Sequence, residues 1–246
     1  MKQILRTLPI PVVLVLIAAA APASAQVLTA EATARSPLLI PYVDCRADID
    51  GRALEEVWKQ IPPLTAFHYY WDEEPAPKTE LRLFHNGDDL YFLYTVEDDD
   101  VVSARVIGEE MDIAEEDRIE FGMSPEDSTA PYYFFEIDSQ GRVLDYETRY
   151  YRRFDPAWDS DSLEVLGRRT ETGYEVEGKF SLRELRDLGV LTSDGKMRLG
   201  CFRGEYSSDR PSGENYKWIS WVHPQTAVPD FHVRSAFGAA RLEESR

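Results

Sequence analysis

Two short runs carry carboxylates, a guanidinium and aromatic rings at alternating positions. In residues 116–123, Ile119 and Phe121 alternate with Arg118 and Glu120; in residues 132–138, Tyr133, Phe135 and Ile137 alternate with Tyr132, Phe134 and Glu136. Successive strand residues point to opposite faces. If the aliphatic set turns to a core, Arg118, Glu120, Tyr132, Phe134 and Glu136 share the other face. Aromatic faces stack on the apolar surface of a sugar ring and carboxylates accept hydroxyl protons, so this mixture suits a carbohydrate. The same alternation also describes an ordinary solvated face, or one covered by a loop.

Other chemistry finds less support. The chain has no Gly-x-Ser-x-Gly elbow, His-Glu-x-x-His pair, phosphate loop or dinucleotide fingerprint. Its four histidines, His68, His85, His223 and His232, are dispersed without ligand spacing. Paired carboxylates could do glycosidase work, but in so acidic a chain their proximity proves little, and the expectation is a non-enzyme. Asp98-Asp99-Asp100, with Glu109, Glu110 and Asp112 nearby, offers the oxygens that calcium takes, with Asp98 and Asp100 as candidate ligands. A solvated acidic loop accounts for the same run. Trp58, Trp71, Trp158, Trp218 and Trp221 are candidates for core or platform, Trp58 for core by its amphipathic placement.

The elements that must position these groups are mostly strands. Residues 78–100 read as a long hairpin about the turn Asn86-Gly87-Asp88, its second run aromatic and β-branched throughout, as in a strand central to a sheet. Such a hairpin needs further strands and a second layer. These follow at 116–123, 132–138, 142–151, 163–170, 173–180, 196–206, 218–221 and 237–242, with an edge strand at 38–43. Short helical pieces fall at 53–60 and after Ser181, whose hydroxyl and Glu184 three residues on mark a helix start. The expected fold class is all-β: a single antiparallel β-sandwich with one or two short helices.

Formal net charge is −18 over 246 residues, which argues against nucleic acid or anionic lipid as partner. A basic start at Lys2 and Arg6, an apolar run over 12–21 and Ala23-Ser24-Ala25 predict a signal peptide at residues 1–25, cleaved before Gln26. Export to the periplasm or beyond follows, with no membrane span after cleavage and a flexible lead at 26–37. Cys45 and Cys201, the two cysteines, are expected to pair in that oxidising compartment, two buried thiols being the alternative.

The order of motifs resembles the family 9 carbohydrate-binding modules and their family-9-like, DOMON-related exported bacterial kin. Asp48-Ile49-Asp50-Gly51 with Trp58 resembles that family's opening, and Leu90-Tyr91-Phe92 leading to Glu97-Asp98 its next strand. Glu116-Asp117-Arg118-Ile119-Glu120 resembles its carboxylate strand. Trp218-Ile219-Ser220-Trp221, Pro229-Asp230-Phe231-His232 and Phe237-Gly238 resemble its close. The likeness runs from residue 38 to 242. It implies a jelly-roll-like sandwich, often with calcium, that recognises an oligo- or polysaccharide, of xylan or cellulose type at a chain end, without cleaving it. By that resemblance Glu120 keeps the family's carboxylate. The first Trp of the sugar clamp is missing, with Ile113 and Ala114 in its neighbourhood, and Phe231 stands for the second. The residues implied in binding are Glu120, Phe134, Glu136, Arg203, Trp221, Phe231 and His232, though Arg203 fits a structural ion pair as well. The alternatives are a structural or protein-interaction sandwich that has lost its sugar site, and a haem-binding relative with an axial pair drawn from Met111, Met123 and His232.

Overall fold

The computed structural model describes residues 36–104, 108–125, 131–208 and 216–244. The signal peptide expected at 1–25, and all but the last two residues of the lead, lie outside them. The hairpin of residues 78–100 forms from β3 (Thr79–His85) and β4 (Asp89–Glu97), in register from Thr79↔Val96 to His85↔Leu90. Asn86 closes its turn, its Oδ1 accepting from the N–H groups of Asp88 and Asp89. The other edge of β4 pairs with β10 (Gly173–Ser181), and β10 with β9 (Glu164–Arg169), completing a four-stranded antiparallel sheet.

The facing sheet collects β1 (Leu38–Ile40), β2 (His68–Tyr69), β5 (Arg118–Ser124), β6 (Tyr132–Asp138), β7 (Val143–Arg149), β8 (Arg153–Asp155), β11 (Lys196–Tyr206), β12 (Tyr216–Ser220) and β13 (Gly238–Leu242). Their order is β1-β13-β11-β5-β6-β7-β8, with β12 also on β11 and β2 on β12. The pairs are antiparallel except β1 with β13. The two sheets form a β-sandwich with few, short helices. No helix among the described residues is long and apolar enough to cross a membrane.

Between the sheets, Ile119, Phe121, Met123, Tyr133, Phe135 and Ile137 meet Leu81, Leu83, Leu90, Phe92, Tyr94 and Val96, the faces that the two-residue period assigns inward. Strand β4 is buried on both sides. Its Tyr91 and Leu93, with Phe84 of β3, lie in a second cluster beneath α1 (Glu56–Gln60), which supplies Val57 and Trp58. Glu177 of β10 fastens that layer: it accepts from Trp58 Nε1 at 2.8 Å and from the Gly51 amide at 3.1 Å. Gly51 sits at φ 72°, where a side chain would be strained. The opening motif thus holds one buried carboxylate. Helix α2 (Leu182–Asp187) starts at Ser181, whose hydroxyl accepts from the Arg183 amide. Glu184 turns instead to Ser160 Oγ, the Asp161 amide and Ser162 Oγ.

The expected disulfide is a correction. Cys45 and Cys201 are both free. Cys201 is buried between the sheets, while Cys45 packs against the cluster under α1, on the far side of the four-stranded sheet. A disulfide needs Cα atoms within about 7 Å, and the thickness of a sheet separates these two. Burial pushes the Cys201 thiol far above its ordinary range, which leaves it inert.

Candidate functional site

Sheet register builds the site. On the outer face of the nine-stranded sheet, Phe202, Glu120, Glu136 and Leu144 stand side by side across β11, β5, β6 and β7. Phe134 and Tyr146 fill the next row on one side, and Arg118 the next on the other. This face is not solvated. A 3₁₀ turn (Glu110–Glu115), β12, the β7–β8 turn and residues 229–232 wall it in around a cavity of about 550 Å³, a size common for small-molecule sites.

Two carboxylates directly opposite each other repel, and Arg118 reconciles them. Its Nε donates to Glu136 Oε2 at 2.6 Å and its Nη1 to the carbonyls of Ala114 and Glu116 at 2.9 and 3.2 Å. Its Nη2 lies 3.0 Å from Glu120 Oε1, so one guanidinium pairs with both buried carboxyl groups. Gly204 stands opposite Arg118 across the ladder; a Cβ there would come within 2.9 Å of Nη1, so glycine leaves the guanidinium its room. The indole of Trp218 covers the guanidinium at 5.2 Å.

These contacts set the protonation states. Burial, then the charge of Glu136, pushes Glu120 up to about 8 against the pull of Arg118, so it is protonated at neutral pH. Glu136 accepts from Arg118 and from the Tyr146 hydroxyl, the latter at 2.8 Å. Burial, then Arg152, holds His232 down to about 3, so its imidazole is neutral. Asp230 resists burial and stays ionised because Tyr151 and the His232 amide donate to it; Arg152 adds a bond at 3.1 Å. The cavity's charges, Arg118 with Glu136 and Arg152 with Asp230, are therefore internally paired.

Of the residues that the sequence suggested, Glu120, Glu136, Phe231 and His232 line the cavity. Phe134 lies fully buried beneath, its ring 4.4 Å from that of His232. Phe231 stacks on Phe202 at 4.1 Å and meets Trp218 edge-on at 5.3 Å. Arg203 and Trp221 point elsewhere. Trp221 is in the sandwich core. Arg203, fully buried, donates to the Glu97 carbonyl at 3.1 Å and pairs with Asp98 and Glu205. Where the clamp Trp was expected, Ala114 borders the cavity and Ile113 is buried under it. Met111 and His232 both border the cavity, whereas Met123 lies in the sandwich core. Sequence reasoning passed over Tyr146, Arg152, Phe154, Tyr206, Tyr216 and Asp230 as lining residues. The period of two could have found Tyr146, which pairs with Phe134.

A separate acidic group lies near Arg203. Asp98, Asp117 and Glu205 each offer an oxygen within 4.8 Å of the others. Burial above all pushes Asp117 up to about 8 and Glu205 to about 7. Asp98 Oδ2 is buried without a hydrogen bond, 3.3 Å from Arg203 Nη2, and Arg203 also pairs with Glu205. Three clustered oxygen donors, one of them without a hydrogen bond, are of the kind that a hard cation such as calcium takes. Asp100 stands apart, accepting from Ser207 and Ser208.

Comparison with known proteins gives the family. Residues 49–245 match the profile of the carbohydrate family 9 binding domain-like family. Comparison with curated proteins gives no match. Among solved structures, a family 9 carbohydrate-binding module from Caldicellulosiruptor kristjanssonii, determined with cellotriose, superposes with TM-score 0.61 at 15% identity, over 86% of this chain and 95% of that one. The same module with glucose gives TM-score 0.61 at 15% identity, over 86% and 97%. A Bacteroides uniformis protein proposed to bind carbohydrate gives 0.64 at 21%, over 84% and 99%. At these identities the structures attest the fold, and the profile, which spans most of the sequence, attests the kinship. The chain belongs to the carbohydrate family 9 binding domain-like family.

Proposed function

We infer that the cavity on the outer face of the nine-stranded sheet binds a neutral sugar unit of an oligo- or polysaccharide, without cleaving it. One observation carries this reading. The cavity's charges are already paired, and Tyr146, Phe154, Trp218 and Phe231 stand around them, with the Tyr146 and Tyr206 hydroxyls among the lining groups. A charged ligand would find no free counter-charge. A polyhydroxylated ring finds a polar group for its hydroxyls and aromatic faces for its C–H surface. The family 9 module that was determined with cellotriose and with glucose makes β-1,4-glucans the first ligands to try. A calcium ion held by Asp98, Asp117 and Glu205, away from the cavity, is part of the same reading, as is export by the leader.

Calorimetric titration with glucose, xylose, mannose and their β-1,4 oligomers tests it. Binding weakened at least tenfold by Trp218→Ala is the expected result. Flat titrations from a folded sample would overturn it. Because Met111 and His232 border one cavity, the absorbance of the purified protein is to be recorded as well: a Soret band would turn the reading to haem.

A further inference from the structure

Exposed aromatic side chains are concentrated on this molecule. Among the described residues the exposed Phe, Tyr and Trp side chains are Tyr150, Tyr151, Phe154 and Tyr216, and all four belong to the rims of the cavity. Phe154 and Tyr216 line it from opposite walls. Tyr151 is tied to it by two lining residues: its hydroxyl donates to Asp230, and the Arg152 guanidinium lies 5.7 Å over its ring. Tyr150, exposed beside it, has its ring 5.5 Å from that of Tyr151. Of the other exposed apolar residues, Leu39, Leu54 and Leu166 sit on β1, ahead of α1 and on β9, apart from the rims, while Met111 lines the cavity and Val228 precedes its Pro229.

Single exposed apolar residues need no explanation, but a contiguous set bordered by polar groups marks a binding surface. This set is aromatic, carries hydroxyls at its tips and runs on from a cavity with room for about one or two sugar rings. Rings placed in succession beyond a pocket suit the repeating C–H faces of a glycan better than the aliphatic anchors of a protein partner.

We propose that Tyr150 and Tyr151 on one rim, and Tyr216 on the other, form outer subsites that hold the next glycosyl units of a chain whose first unit occupies the cavity. The ligand is then an oligosaccharide, and free monosaccharide binds it poorly. The proposal rests on the sugar reading above.

Titrating the wild-type protein and Tyr150→Ala with glucose, xylose, mannose and the corresponding β-1,4-linked trisaccharides tests it. Tyr150 is more than half exposed, so its removal should leave the fold intact, which circular dichroism checks. For whichever sugar binds, the trisaccharide should bind the wild type about tenfold more tightly than the monosaccharide. Tyr150→Ala should cost roughly three- to tenfold in trisaccharide affinity, the range of one aromatic contact, and nothing in monosaccharide affinity. Leu166→Ala, exposed on β9, should change neither. Equal affinity for mono- and trisaccharide, or a Tyr150→Ala variant that matches the wild type on the trisaccharide, would overturn the outer subsites and leave the cavity's sugar reading standing. Absence of binding to any sugar would overturn both.

Discussion

Glu120→Gln isolates the electrostatics of the cavity floor. The carboxyl group is buried beside Glu136, with Arg118 as its compensating charge. Its pKa is raised from 4.5 to about 8, which at about 1.4 kcal/mol per unit makes ionisation cost on the order of 5 kcal/mol. Between these two values the folded protein holds a proton that the unfolded chain has released, so stability falls as pH rises from about 4.5 to about 8 and then levels. Glutamine keeps the shape of the protonated acid and cannot ionise. Urea denaturation of both proteins at pH 5, 7 and 9 should show little difference at pH 5 and an advantage for the variant on the order of 5 kcal/mol at pH 9. An equal difference at pH 5 and pH 9, or a wild type more stable at pH 9, would show that Arg118 keeps Glu120 ionised in the fold and would refute the reasoning.

Glu177→Ala strips the partner from Trp58 Nε1 and from the Gly51 amide; urea denaturation should show a loss of about 3 kcal/mol, and a loss under 1 kcal/mol would mean the α1 layer is held by apolar contact alone. Thiol labelling of the native protein should modify the half-buried Cys45 and reach Cys201 only on unfolding; a protein that labels at neither site until reduced would restore the disulfide. Calcium should raise the melting temperature of chelator-treated protein, and Asp98→Asn should abolish the increase; no increase in the wild type would leave Arg203 as the cluster's sole counter-ion.

Much of the fold was legible because alternation and turn chemistry are local. Leu81, Leu83, Phe92, Tyr94, Ile119, Phe121, Phe135 and Ile137 all turn inward as their spacing requires, and Asn86 closes the turn its type favours. What alternation cannot say is which side of a face the rest of the chain will cover. Glu120 and Glu136 read equally as solvated acids, and it is residues 229–232, more than ninety positions on, that enclose them. Cys45 and Cys201 failed on the same ground: compartment made a bridge plausible, but the four-stranded sheet lies between them.

Arg203 and Trp221 show where resemblance by residue type misleads and register decides. Arg203 and Phe202 are neighbours in β11, so they must face opposite ways. Phe202 pairs with Glu120 at the cavity floor, which commits Arg203 to the other side, with Asp98 and Glu205. Trp218 follows the same rule in the site's favour. It pairs with Gly204, the residue opposite Arg118, so its indole falls on the guanidinium at the cavity wall, while Trp221 lies beyond the end of β12 and sinks into the sandwich core. With Ile113 and Ala114 where a clamp Trp was sought, an indole still reaches the cavity, but from β12. An aromatic wall therefore stands at the cavity without that residue, supplied by another strand, which is a property of sheet neighbours and cannot be read from the order of motifs along the chain.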